Sequence, residues 1–370
     1  MSRARDLANV ADDVSTGTVV TTASPSLGRR NLIINGAMQV AQRGTSFTAA
    51  GYTLDRMRAY LMQSGGATYT QSTDAPSGFK NSLKVEVTTA VTSPNSTDYS
   101  MMRQLIEAQN CIPQLSWGTS DADSITISFW VKSSITGDFG IALHNENFNY
   151  SYADLYTINA VDTWEYKTVT ITGATAGAWN TGNDIGIVVN FSHGSGSGRQ
   201  ITTGSWTGSG ALGASGETNL YATVGNTWQI TGVQLEVGSV ATPFEHRSFG
   251  EELALCQRYF YDPDGAYADA SAANEWVQFN LGQPGTNSNE YIVPVTFPVT
   301  MRAVPTVTVG SNDYGVGVFT TLNANGNGRL DATTSGTRNI GKDGCSLKCR
   351  DSTDTGHSGF RGWFYAEAEL

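Results

Sequence analysis

The chain has 370 residues, room for two domains or one large β domain with an appendage, and enough to build a core without disulfides or metals. Hydrophobic residues make up 39% and charged residues only 15%, with 41 glycines and 10% aromatics, a balance that excludes helical bundles and coiled coils in favour of turn-rich β structure. A formal net charge of -11 argues against a phosphate-backbone or anionic-membrane partner, and apolar runs such as Ile185 to Val189 are too short to cross a bilayer.

The first thirty positions differ from the rest. Leu7, Val10, Ala11 and Val14 recur at helical spacing after Arg5, a single amphipathic stretch too short to stand alone. Residues 15–30 are Thr, Ser and Gly with one Pro, the composition of an extended linker. Residues 1–30 are therefore expected to be a docking arm, through Arg5, Leu7, Val10 and Val14, with a frayed terminus as the alternative.

From Asn31 onward the chain reads as strands. Leu83, Val85 and Val87 alternate with Lys84 and Glu86, and Ile125, Ile127, Phe129 and Val131 alternate with Thr126, Ser128, Trp130 and Lys132, giving half-buried strands with one wet face. Between Thr163 and Ile171 the parity changes from Trp164 and Tyr166 to Val169 and Ile171, which predicts a bulge or bend. Trp228 to Val237 reads as one long strand interrupted at Gly232. Between Lys167 and Glu217 only Asp184 and Arg199 are charged, while Trp179, Asn190, His193 and Trp206 sit among Gly, Ser and Thr. Flat rings among neutral hydrogen-bonding groups suit a sugar surface, so these four are the candidate glycan contacts. The competing reading, which is the stronger for the two tryptophans, is that they plug the ends of a sandwich core.

Ser248 and Glu251 form an S-x-x-E capping box, followed by Phe249, Leu253, Cys256 and Phe260 at helical spacing, so one short helix starts here and buries one stripe. Asp262-Pro-Asp-Gly265 is a turn, and a fresh series of strands follows to Leu370. Pro294, Pro298 and Pro305 place their strands at sheet edges or near strand ends. The fold class is therefore all-β: a jelly-roll sandwich over 31–247, then over 248–370 a linking helix and a second, smaller β-sandwich domain.

Catalytic signals are sparse. The four histidines are scattered, Gly194-Ser-Gly-Ser-Gly198 carries Gly where a nucleophile elbow needs Ser, and no acid pair stands out as a glycosidase would require. Gly208, Gly210 and Gly213 match G-x-G-x-x-G without the strand-then-helix context of a dinucleotide site. Cys111, Cys256, Cys345 and Cys349 are too scattered for a disulfide framework, and Cys345, Cys349 and His357 match no zinc spacing; strand-end thiols or a local disulfide fit better. No catalysis, cofactor or metal is expected, and without a leader segment the chain is expected to be soluble and made in a reducing cytoplasm.

Several motifs in order carry a resemblance. Asn31-Leu-Ile-Ile-Asn35-Gly-Ala-Met, Tyr52-Thr-Leu-Asp55-Arg56, Ser128-Phe-Trp-Val-Lys132, Trp164-Glu-Tyr166, Ile230 to Gly238, Ala241-Thr-Pro-Phe-Glu245 and Leu253 to Tyr259 together resemble tail-fibre and related virion proteins of tailed bacteriophages. Phe297 to Thr306 and the terminal Ala366-Glu-Ala-Glu-Leu370 are similar to the β domain that follows in those proteins, and Ser2 to Asn9 to the arm of marine phage fibres. Met57 departs from the pattern, which usually has Trp there. The resemblance implies a carbohydrate-binding-module-like jelly roll, a homotrimer, virion partners engaged through the arm, a place on the virion and recognition of a host-surface glycan. A purely structural collar, adaptor or head-decoration protein is the alternative.

Overall fold

A computed structural model describes residues 29–62, 64–263, 265, 267, 277–280, 290–311, 315–316, 320–322, 328–329, 332–351 and 359–370. Arg5, Leu7, Val10 and Val14 of the proposed arm lie outside them, as does His357.

The alternating segments form β1 (Ser46–Phe47), β2 (Gly51–Tyr52), β3 (Arg58–Tyr60), β4 (Gly66–Ser72), β5 (Ser82–Thr89), β6 (Tyr99–Glu107), β7 (Ile125–Ser133), β8 (Gly137–His144), β9 (Ser151–Ile158), β10 (Glu165–Ile171), β11 (Ile185–Ser195), β12 (Gln200–Ile201), β13 (Gly213–Ala214) and β14 (Thr227–Val237). They make two six-stranded sheets, β1-β4-β5-β14-β7-β10 and β2-β3-β6-β11-β8-β9, packed as a jelly-roll sandwich. The inward parity of each strand supplies the core. Leu83, Val85, Ile127, Phe129, Val131, Trp228 and Ile230 of the first sheet meet Met102, Phe139, Ile141, Leu143, Tyr156, Val189 and Phe191 of the second, all buried. At roughly 1.5–3 kcal/mol per large apolar side chain removed from water, this interface is the main source of stability.

Gly232 is where β14 changes register against β7, between Thr231 and Gln234. Its φ of +61° is left-handed, and a Cβ there would lie 2.6 Å from the Phe79 ring, so this bulge requires glycine. The bulge expected near Thr163 to Ile171 is absent: Glu165 to Ile171 pairs with Val131 to Ile125 without a break. Tyr166 instead faces outward, where it packs on Trp130 at 5.4 Å, so the change of parity marks an aromatic pair on the outer face.

Helix α1 (Phe249–Gln257) begins with the capping box, both reciprocal bonds between Ser248 and Glu251 being present. Its buried contacts are Cys256 with Tyr259, Leu253 and Leu255 against Ile34 and Val40. Phe249 stands 55% exposed, so it does not belong to the predicted stripe.

The chain then forms β15 (Phe260–Tyr261), β16 (Val277–Asn280), β17 (Glu290–Thr296), β18 (Thr306–Ser311), β19 (Gly315–Val316), β20 (Thr320–Leu322), β21 (Gly328–Arg329), β22 (Ala332–Arg338), β23 (Gly344–Asp351) and β24 (Gly359–Glu367). Strand β24 pairs with β15, β16, β18 and β20, while β17-β23-β22 form a separate sheet with Pro294 in an edge strand. Val293, Phe297, Met301, Val309, Leu347 and Phe364 make this smaller sandwich's own core. Cys111, Cys256 and Cys345 are buried free thiols, which removes the local disulfide of Cys345.

Charge joins the two sandwiches. Arg43 and Arg56, both buried, reach the terminal carboxylates: Arg43 lies 3.2 Å from Glu367 and 3.1 Å from Glu369, and Arg56 pairs with Glu369. The Arg56 guanidinium stacks 3.6 Å over the Tyr259 ring. Glu107, also buried, accepts from Arg258 Nη2 at 2.7 Å and Tyr259 OH at 2.8 Å.

Candidate functional site

The outward parity of the second sheet carries polar and aromatic side chains. Because Met102 and Ile106 of β6 face the core, Tyr99, Arg103 and Leu105 face out; likewise Tyr60 of β3, Val188 and Asn190 of β11 and His144 of β8. The segment 196–219, including β12 and β13, crosses part of this face. Its Ile201 and Ala214 pack on Ala142 of β8 and on Ala153 and Leu155 of β9. Glu217 fastens it: its carboxylate accepts from Ser192 Oγ at 2.9 Å, from Ser195 Oγ, and from Ala214 N–H at 3.1 Å. Burial pushes the Glu217 carboxyl above its ordinary range, against the pull of these donors. Gly140 makes room, since a Cβ there would lie 2.0 Å from Glu217 Oε2.

The uncovered part of the face is a cleft of about 370 Å³, lined by Tyr60, Tyr99, Arg103, Leu105, His144, Glu146, Phe148, Ile185, Val188, Arg199 and Leu212. Its rings and cations form a connected wall. Arg103 lies 3.9 Å over Tyr60 and donates to its hydroxyl; Tyr60 and Tyr99 are 6.0 Å apart; Arg199 sits 5.8 Å from Tyr99 and 5.9 Å from Phe148. Phe148 meets His144 edge-on at 4.8 Å. His144 is 4% exposed, and its Nδ1–H donates to Asn145 O at 2.7 Å, which leaves Nε2 as an acceptor with no protein partner. Burial drives this imidazole down to about 4, so it is neutral at physiological pH.

The four residues singled out from sequence are not brought together on one surface. Trp179 and Trp206 sit in the β10–β11 and β12–β13 connections and pack edge-to-face on Trp117 at 4.9 and 5.2 Å, with Tyr150 stacked on Trp206 at 5.4 Å. Their indole N–H groups donate to Ala176 O at 2.9 Å and Thr172 O at 2.7 Å, so each ring is half-buried against the sandwich core with its polar atom already used. Asn190 is wholly buried on the outward face, donating to Ala142 O at 3.3 Å. His193 points the other way, on the inward parity that it shares with Val189 and Phe191; it is wholly buried 4.5 Å from the Trp228 ring. Neither of its nitrogens has a partner, and burial drives it down to about 3.

Among the described residues no group of three or more His, Cys, Asp or Glu is arranged to hold a metal. The cleft residues Tyr60, Tyr99, Arg103, Phe148 and Arg199 went unread in the sequence. The one signal available was the four-residue spacing of Tyr99 and Arg103, which puts them on the same face if residues 99–107 are taken as a strand.

No protein-family model matches the chain, and no curated protein does. Solved structures give remote likenesses. The tailspike protein 4 enzymatically active domain of bacteriophage CBA120 is 14% identical over 56% of this chain and 21% of that one, with a TM-score of 0.30, so this chain spans about a fifth of its length. A family 4 carbohydrate-binding module is 14% identical over 55% of this chain and 97% of its own, with a TM-score of 0.28. The tandem family 22 modules of Paenibacillus barcinonensis Xyn10C are 10% identical, covering 93% of this chain and 92% of that one, with a TM-score of 0.29. At this level none of them assigns a ligand to this chain.

Proposed function

We propose that this chain is a non-catalytic, glycan-binding component of a bacteriophage virion, with the sugar held in the cleft on the second sheet. The observation that carries the binding reading is the cleft wall itself. Tyr99 and Phe148 add aromatic rings to Tyr60 under its Arg103 cover, and His144, whose buried Nε2 has no protein partner, lines the same cleft. A sugar presents both complements, an apolar ring face and a rim of hydroxyl donors. Glu146 is the one carboxylate among the described lining residues, whereas glycoside hydrolysis uses two, about 5–9.5 Å apart.

The virion role rests on the ordered motifs from Asn31 to Tyr259 and on the two-sandwich architecture in which several of them meet. In this reading residues 1–30 dock on other virion proteins, 31–247 bind the glycan, 248–370 form the linking helix and second sandwich, and three copies assemble so that weak sugar contacts add up. A glycan array probed with the whole chain and with Tyr99→Ala and Phe148→Ala tests the site. The expected result is a defined set of oligosaccharide hits that both variants lose by about tenfold or more, with unchanged thermal melting. Hits that both variants retain would place binding elsewhere.

A further inference from the structure

The cleft gathers cations that have neither a carboxylate nor a full set of carbonyl acceptors, unlike Arg29 and Arg302, which spend their guanidinium N–H groups on backbone carbonyls. In a chain of net charge -11, Arg43, Arg56, Arg247 and Arg258 each reach a carboxylate. Arg58, Arg103 and Arg199 have no carboxylate partner among the described residues. Arg58 and Arg103 are moreover directly opposite each other on β3 and β6, a like-charge pair that costs stability unless something offsets it. Arg103 spends one bond on the Tyr60 hydroxyl, and its Nε is buried without a partner. Arg199 reaches only Thr97 O, through Nε at 3.4 Å. Burial, together with the neighbouring Arg58, also lowers the Arg103 guanidinium below its ordinary value, the direction expected of a cation short of a counter-charge. Glu146, the cleft's carboxylate, accepts instead from Asn180 Nδ2.

Building on the glycan reading above, we propose that the cleft selects anionic sugars. Arg103 and Arg199 hold a carboxylate or sulfate carried by the ring that lies on Tyr60, Tyr99 or Phe148, and His144 Nε2 accepts a hydrogen bond from a hydroxyl of the same unit. Guanidinium suits this task because its planar fork meets an oxyanion with two parallel hydrogen bonds, and the half-enclosed cleft weakens the screening that makes exposed pairs worth little. The anion would also relieve the repulsion between Arg58 and Arg103.

The test is equilibrium binding of the whole chain to a panel of uronate-, sialate- and sulfate-bearing oligosaccharides, each beside its carboxyl-reduced or desulfated twin. At least one acidic member is expected to bind about tenfold or more tighter than its twin, with the carboxylate and sulfate arms showing which anion is preferred. That ratio should shrink as salt rises from about 0.05 to 0.5 M. Arg199→Gln, at the cleft rim, should lower the ratio by about fivefold or more, costing the acidic member more affinity than its neutral twin. Arg103→Gln should do the same, with a thermal melt to verify folding. Equal binding of acidic and neutral twins, or a ratio that Arg199→Gln leaves unmoved, overturns the proposal while the glycan reading stands. Binding to no member of either kind overturns both.

Discussion

His193 is a polar ring placed where the fold offers it nothing but apolar neighbours. Its nitrogens are unpartnered against Trp228 and burial holds it neutral, down to about 3 from an ordinary 6.5. A base with a lowered folded pKa binds protons more readily when unfolded, so its titration contributes nothing to stability above about pH 6.5, where only the cost of two buried, unpartnered nitrogens remains. It becomes a liability as the pH falls toward 3, by roughly 1.4 kcal/mol per pH unit across that window. His193→Leu, similar in volume and without the titration, is therefore expected to be at least as stable as the parent at pH 7 and to flatten the loss of melting temperature between about pH 6 and 4. Parallel melting curves for the two proteins would refute this account of the residue. Trp179 and Trp206 teach a related point. Their aromatic character was legible in the sequence, but the rings they pack against, Trp117 and Tyr150, come from other connections, and that pairing is set only once the sandwich closes.

At the level of elements, inward-facing residues were legible because alternation with period two repeats within a single strand. Leu83 to Val87 and Ile125 to Val131 read correctly on their inward faces for that reason, although the outer face of β7 is not the wet face expected, Thr126 and Ser128 being buried as well. The glycine bulge in β14 and the capping box of α1 were equally local, each carried by a few adjacent residues. The cleft was not legible. Its wall is assembled from β3, β6, β8, β11 and three connections, so residues as distant as Tyr60 and Arg199 become neighbours through topology alone. The segment 196–219 defines the cleft's edge, and Glu217 is its fastening. Glu217→Ala is expected to cost about 1–3 kcal/mol, since it leaves the Ser192 and Ser195 hydroxyls and the Ala214 N–H without their acceptor. Amide exchange should rise at Leu212 to Ala214 well above the change in the core strand β7. Uniform exchange across both regions would mean that the segment is held by its apolar contacts instead.

For the molecule as a whole, the terminal Ala366-Glu-Ala-Glu-Leu370 and the Asp55-Arg56 pair stood far apart in the sequence as two unexplained motifs, and the structure closes them into one junction. Glu369 is shared by Arg43 and Arg56, both buried and both stacked on rings, at 3.6 Å from Phe260 and 3.6 Å from Tyr259. Removing one member of such a group leaves a buried charge uncompensated, so Glu369→Ala is expected to destabilise by about 3–5 kcal/mol, far more than loss of an exposed pair. Denaturant unfolding should show this as a lowered midpoint or as separation of the two sandwiches into distinct transitions; an unchanged single transition would show that the ions are dispensable to the junction.

A crystal structure of the chain with the strongest oligosaccharide from the array decides whether the sugar binds in the cleft on the second sheet. A sugar ring is expected over Tyr60, Tyr99 or Phe148, with a hydroxyl within hydrogen-bond distance of His144 Nε2. A sugar bound at Trp179 and Trp206, or on the outer face of the first sheet at Trp130 and Tyr166, would contradict it.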